Sequence, residues 1–499
     1  MSVFVEALSL VFQPDVIGTV VVASLIGITI GAIPGLTAVM GVALLIPITF
    51  FMDPVPAIAA IASLAAMAIF AGDIPGTLLR IPGTPASAAY VDDGYAMTKQ
   101  GCPERALGLS MVSACIGGTI GVLLLMLAAP ALARFATNFS AVEYFWLAIL
   151  GLSCAAVIAS NSALKGIISV LFGLWVAMIG IDTVAGQPRY TFGSIELMGG
   201  VSFIPAMIGM FALPEVLRNI SAMAEKRRPP VMGPIFPGLG TTLWKRRSNV
   251  VRGGLTGSLI GALPGAGADI AAWVAYALAK RNSKTPEAFG KGHDEGLIEA
   301  GAANNGALSS AWVPTLVFGI PGDSITAIVI GVLYLKGLEP GPIIFVRTPE
   351  LVYAIFFAFL LANMLLIPFG WAIIKASRQL LRIPSAYFTP VVLACCIVGS
   401  FAINNTAFGV LTMLVFGLIG WFFEENKIPI APAILGIVLG GILEFNFVTS
   451  MLISQGDVTV FFSRPVAVML AIAVLLAWTV PIVRHLRHRP KKGDEEASR

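Results

Sequence analysis

The chain has 499 residues, 57% of them apolar and only 12% charged, with a net charge of +4 from 31 Lys/Arg against 27 Asp/Glu. Soluble domains carry roughly 25% charged residues, so this composition argues against a soluble globular fold, a disordered chain or a disulfide-stapled secreted domain. The basic residues sit in short clusters between apolar runs, which also argues against nucleic-acid binding.

In chain order, apolar runs of bilayer-spanning length, about 17–25 residues, fall near 106–130, 142–160, 163–181, 199–217, 351–374, 386–403, 407–423, 428–447 and 465–484. Four further apolar stretches, 16–51, 55–98, 253–280 and 298–336, are interrupted at Pro34-Gly35, Pro82-Gly83, Pro264-Gly265 and Pro321-Gly322. Helix should stop there, because Pro removes an amide donor and Gly weakens helix. No Lys or Arg precedes Arg80, so a cleavable signal peptide, which needs a basic start, is not expected. The five cysteines form no CxxC, and the three histidines lie in loop or tail segments. A transition-metal site is not expected.

The interrupted stretches repeat. Ile26–Leu36 resembles Thr256–Ala266 at an offset of 230 residues, and Ile81-Pro82-Gly83 matches Ile320-Pro321-Gly322 at an offset of 239. A later match, Asn161–Gly166 with Asn405–Gly409, keeps the same order. Basic clusters at 218–252, 280–291, 375–382 and 484–492 hold 20 of the 31 Lys/Arg. Placing all four on the cytoplasmic side leaves the N-terminus periplasmic and the C-terminus cytoplasmic. Each repeat then holds one hairpin and five crossings, an odd number, which makes the repeats inverted. The expected fold is an all-α polytopic integral membrane protein of two inverted repeats, each with a re-entrant hairpin and a broken helix, and about 11 crossings. Repeat 1 spans 1–217, a cytoplasmic linker 218–252, repeat 2 253–447, an extra C-terminal helix 448–484 and a cytoplasmic tail 485–499.

Unwound backbone at membrane depth is tolerated where it is buried in protein or lines a polar cavity, and paired broken helices point to a transporter binding site. The expected substrate-binding residues are therefore Pro34, Gly35, Arg80, Pro82, Gly83, Thr84, Ser87, Pro264, Gly265, Gly267, Pro321, Gly322 and Ser324. Thr84 suits an N-cap with Pro85 after it, so a half-helix is expected to start there with free amides for an anion. Arg80 is either a substrate-facing charge at depth or a structural partner of Asp73. In the second repeat Asn304, Asn305, Asp323 and Thr326, with Asp269, offer oxygen ligands for a hard cation. Asp323 also reads as a plain N-cap, and the Asn residues as helix–helix hydrogen-bond partners. Coupling by Na⁺ or H⁺ is expected, with no other cofactor. A channel is the alternative reading. An intramembrane enzyme is less favoured, because no nucleophile–base or metal constellation shows.

The strings GAIPGL, RIPGTPASAAYVDDGYAMTKQG, GALPGAGAD and AGAANNGALSSAWVPTLVFGIPGDS resemble the large membrane subunit of the tripartite tricarboxylate transporter family. The resemblance covers nearly the whole chain. It implies uptake of small organic carboxylates across a bacterial inner membrane, a small membrane subunit of about four spans and a periplasmic solute-binding protein. Two positions depart from the family's usual text: Arg80 stands where Asn is common, and Asp323 where a small residue is common. These departures leave the substrate and the coupling ion open.

Overall fold

The computed structural model describes residues 2–34, 36–158, 163–182, 186–221, 232–265, 267–381 and 388–487. These residues are almost all helical; the strands among them are a two-residue antiparallel ladder, Gly180–Ile181 with Pro188–Arg189. Six helices among them are long and apolar enough to cross a bilayer: Pro14–Ala32, Pro54–Leu79, Pro103–Ala136, Pro349–Leu380, Ala407–Glu425 and Ile430–Ile453. Shorter apolar helices lie at the expected positions 142–160, 163–181, 386–403 and 465–484, and helix Phe203–Ser221 lies at 199–217. Several helices open on proline (Pro14, Pro54, Pro103, Pro349, Pro465), where the missing amide costs nothing.

The Pro-Gly breaks fall where expected. Helix Pro14–Ala32 turns at the first break into Ala38–Thr49, whose N-cap Thr37 accepts from the Met40 amide at 3.2 Å. Helix Arg247–Gly261 turns at the third break into Gly267–Asn282. Glycine stripes bring each hairpin's first helix onto the helix that comes after the hairpin. A Cβ at Gly27 or Gly31 would strike the backbone of Leu64 or Ala68; a Cβ at Gly257 or Gly261 would strike that of Ala303 or Ala307. Each pair maps onto the other at the sequence offsets of 230 and 239. Val16 and Val20 pack near Val55 and Ala59, and the loop from Thr49 to Pro54 is short. The first hairpin therefore leaves and returns at the same end.

Counterpart helices run in opposite directions. Pro103–Ala136 and Pro349–Leu380 cross with Gly118 at Asn363 and Met111 at Gly370, which is antiparallel. Ala163–Ala177 and Ala407–Glu425 cross with Lys165 at Asn426, and Phe172 at Phe416 and Phe423, again antiparallel. Asn305 Nδ2 donates to the carbonyl of Ala66, its own counterpart at offset 239. A contact between counterparts places the pseudo-two-fold axis there. The repeats are inverted.

The basic segments gather at one end. Arg105 pairs with Asp294, Arg246 with Glu295, and Lys375 Nζ donates to the Gly233 carbonyl. Lys165 and Arg218, on helices whose ends face the same way, meet Asn426 and Glu424. Lys336 instead reaches the carbonyls of Phe50 and Met52 at the opposite end, where the first helices begin.

The stretch expected as a linker differs from expectation. Leu239–Lys245 and Arg247–Gly261 are helical, so the second hairpin begins before 253. Arg246 and Arg252 sit on or beside these helices, opposite Glu295 and the fully buried Glu299 of helix Asp294–Ser310. Charge there marks a paired helix face rather than a loop.

Candidate substrate and cation site

Both broken helices end alike. Helix Asp73–Leu79 closes on Arg80 in the left-handed region (φ 61°), and helix Trp312–Phe318 closes on Gly319 (φ 67°). In each, the cap amide returns to the carbonyl four residues back, and the next amide six residues back: Arg80 to Gly76 and Ile81 to Pro75, Gly319 to Thr315 and Ile320 to Pro314. Glycine is the natural residue at such a cap, so a non-glycine Arg80 carries strain. The chain then folds back until Gly83 packs on Gly72, and Gly322 on Ala311, with no room for a Cβ at either glycine.

A second pair of caps comes just beyond each break. Thr84 and Ser87 exchange bonds: Ser87 N donates to Thr84 Oγ1 at 3.1 Å, and Thr84 N donates to Ser87 Oγ at 3.1 Å. Asp323 and Thr326 do the same, with Thr326 N donating to Asp323 Oδ1 at 2.7 Å and Asp323 N to Thr326 Oγ1 at 2.8 Å. This is a reciprocal capping box in both repeats. The half-helix expected from Thr84 is not there, however. A turn and a three-residue 3-10 segment, Ser87–Ala89, come after Thr84, and α-helix resumes only at Val91–Lys99. Asp323 does open a full α-helix, Ser324–Leu335. The first break therefore lacks the sustained dipole that would hold a free anion.

The tip of the second hairpin lies between the breaks. Gly265 and Gly267 both have positive φ (76° and 61°), and a Cβ at Gly267 would stand 3.1 Å from Asp323 Cβ. Asp269 Oδ1 accepts the Ala86 amide at 3.2 Å, and Trp273 Nε1 donates to the Pro85 carbonyl at 3.2 Å. The amide expected to meet a substrate anion is thus met by the protein's own carboxylate. Asp269, Trp273 and Ala277 are exposed along one face of a helix whose Gly267, Ala268, Ala271 and Ala272 are buried. Ile81, Pro82 and Pro85 are exposed beside that face, while Asp323 and Ser324 are half-buried. The result is a crevice with two carboxylates on its wall. Neither has an ion-pair partner among the described residues.

Other expected residues stand as described next to their partners. Pro34 is half-buried at the tip of the first hairpin, and Gly35 lies outside the described residues. Pro264 and Gly265 are half-buried, with Gly265 against Ala155; Pro321 and Gly322 are buried. Arg80 is not buried and does not pair with Asp73. Its guanidinium meets Asp92 at 2.8 Å, with the two side chains 59% and 54% exposed. The left-handed cap turns its side chain outward. Asn304 and Asn305 are not at Asp323, because Gly322 packs at Ala311, two helical turns or about 10 Å farther along. Asn304 instead donates to Tyr90 Oη at 3.3 Å. Tyr90 in turn donates to Asp73 Oδ1 at 2.7 Å, and Ser110 Oγ donates to Oδ2. Sequence reasoning missed Tyr90 and Ser110. Asp73 inside an apolar run was the available signal, but its partners are 17 and 37 residues away.

The model of the tripartite tricarboxylate transporter TctA family matches residues 17–435. The chain belongs to that family. It is 32% identical over 472 residues, 94% of each chain, to the uncharacterized 52.8 kDa protein in the TAR-I ttuC' 3' region of Agrobacterium vitis. A second A. vitis relative, the uncharacterized protein in the TAR-II ttuC' 3' region, is 34% identical over 235 residues, 46% of this chain and 97% of its own. No solved structure matches. As a TctA-family protein with this helical architecture, the chain is a multi-pass membrane subunit of a transporter.

Proposed function

We propose that this TctA-family chain is the translocating subunit of a cation-coupled secondary transporter that takes up small organic carboxylates across a bacterial inner membrane. A small membrane subunit of about four spans and a periplasmic solute-binding protein complete the assembly, the latter delivering substrate at the end opposite the basic clusters. That end is periplasmic by the distribution of positive charge, so the N-terminus lies outside and the tail inside.

One observation carries the reading: the tip of the second hairpin joins two repeat-related breaks across a crevice walled by Asp269 and Asp323. Breaks of this kind form the substrate and ion sites of secondary transporters. Two unpaired acids repel an anionic substrate, so substrate enters with a cation bound. Na⁺ fits oxygens from Asp269, Asp323 and Ser324 with nearby backbone carbonyls. The exposed Arg80 guanidinium supplies the anion's charged contact.

The test is uptake of labelled carboxylates into proteoliposomes holding this chain, its small subunit and the binding protein. The carboxylates are chosen beforehand by thermal shift on the binding protein. Saturable uptake driven by an inward Na⁺ or H⁺ gradient supports the reading. Non-saturating flux independent of any gradient means a channel.

A further inference from the structure

Asp73 is an acid that the crevice does not use. It begins helix Asp73–Leu79, immediately after Gly72, on which Gly83 folds back. Its side chain is 3% exposed, and Tyr90, also 3% exposed, and Ser110 bond its two oxygens. Asn304 lengthens this chain by donating to Tyr90 Oη, and its own Oδ1, in a residue 2% exposed, has no partner.

The charged groups on the elements packed around Asp73 are engaged elsewhere. On Val91–Lys99, Asp92 pairs with Arg80, Asp93 accepts the amides of Gly290, Gly292 and His293, and Lys99 lies over the Tyr95 ring. On Pro103–Ala136, Arg105 pairs with Asp294, Glu104 lies against Gly233, and Arg134 is six turns or more beyond Ser110; the Cys115 thiol is buried in an apolar cluster. On Asp294–Ser310, Glu295 and Glu299 pair with Arg246 and Arg252. Asp15 sits at the far end of Pro14–Ala32, and Pro54–Ala71 carries no charge. Tyr90 is the titratable group that faces Asp73.

A lone carboxylate in a dry site with only neutral donors is costly, and a neutral acid is not. A proton is the simplest neutraliser, since Ser110 Oγ can accept from a protonated Oδ2. Na⁺ would call for several oxygens, including unwound carbonyls, whereas Asp73 lies in helix. The fold itself does not need this cluster. At the offset of 239, Trp312 stands opposite Asp73, Val329 opposite Tyr90, and Ala65 opposite Asn304. Tyr90 closes the short segment Ser87–Ala89, and the Ala86 amide just before it rests on Asp269. Movement of that segment when the crevice fills would lift the hydroxyl that covers Asp73.

We propose that Asp73 carries a proton in the transport cycle. This rests on the transport reading above. When the Tyr90 segment opens on one side, a hydronium ion gives its proton to one carboxylate oxygen of Asp73, its own O–H bond breaking as the new one forms and leaving water; the neutral acid is sealed during reorientation, and on the other side the proton passes back to water, restoring the carboxylate.

Infrared difference spectroscopy of the full chain in lipid, stepped in pH, tests the proton directly. The expected result is a carboxylic-acid C=O stretch that disappears at alkaline pH, is missing in Asp73→Asn and is unmoved by Na⁺. Tyr90→Phe should keep the band but shift it to higher frequency, because the carboxyl loses one donor; this variant carries the test if Asp73→Asn does not fold. Identical difference spectra for wild type and Asp73→Asn, no shift in Tyr90→Phe, or loss of the band on adding Na⁺ at fixed pH would overturn the proposal. In proteoliposomes, Asp73→Asn should equilibrate substrate by exchange but not concentrate it in response to a pH gradient. Concentration with wild-type pH-gradient dependence would also overturn it. A wild type that moves no carboxylate at all defeats the transport reading instead, and the infrared band still reports on Asp73.

Discussion

Replacing Asp269 by Asn keeps an oxygen to accept the Ala86 amide, now bonded at 3.2 Å, and removes one negative charge from the crevice. A substrate carboxylate held about 5 Å from Asp269 meets a repulsion of about 3 kcal/mol at an effective dielectric constant near 20. That is roughly a 200-fold loss of affinity unless a cation intervenes. In Asp269→Asn this barrier is gone. Cation-free substrate affinity should rise by about one to two orders of magnitude, and the dependence on cation concentration should flatten. Trp273, 51% exposed on the same helix face and bonded to Pro85, gives the signal. Its fluorescence is titrated with substrate at several Na⁺ concentrations and pH values, with a Trp273→Phe protein supplying the background. An Asp269→Asn protein with wild-type affinity and wild-type cation dependence would refute the charge argument.

Asp323→Asn should melt close to wild type, because Asn still caps helix Ser324–Leu335, but it should show weaker Na⁺ or pH dependence of concentrative uptake. Asp323→Ala should lose about 0.5–2 kcal/mol of stability with its cap, read as a lower melting temperature. Arg80→Gly relieves a left-handed cap and removes a guanidinium, so we expect a melting temperature no lower than wild type with strongly reduced uptake; full uptake would leave Arg80 only its contact with Asp92. Gly257→Ala drives a Cβ into the Ala303 backbone, and overpacking of about 1–3 kcal/mol should lower the melting temperature. Gly18→Ala, where a Cβ meets nothing within 4 Å, should leave it unchanged or slightly higher, and equal losses at the two sites would contradict this helix packing.

Much of this architecture is written locally. Run lengths of apolar residues are set by the bilayer, and Pro-Gly ends helix at the four paired breaks, while Pro75-Gly76 passes inside helix Asp73–Leu79. Ile26–Leu36 and Ile81–Gly83, with their partners 230 and 239 residues on, therefore specify the hairpins, the broken helices and the inverted repeat without reference to any long-range contact. The Asp323 cap was legible for the same reason, since the amide it accepts, that of Thr326, is three residues on. The short 3-10 segment at Ser87–Ala89 was not: Thr84-Pro85 is as good a helix start as Asp323-Ser324, but the Ala86 amide is taken by Asp269, 183 residues away. Charge partners were equally out of reach. Arg80 could be assigned to Asp73 or to a substrate by proximity in sequence, but the sign of φ at its cap sends it outward to Asp92. Asp73 was left to Tyr90, Ser110 and Asn304, which three separate elements supply. Helix and break depend on neighbours within a few turns, so the sequence alone determined them. Which carboxylate stands open in the crevice and which is sealed behind it depends on contacts between segments far apart in the chain, and only the tertiary structure decided that.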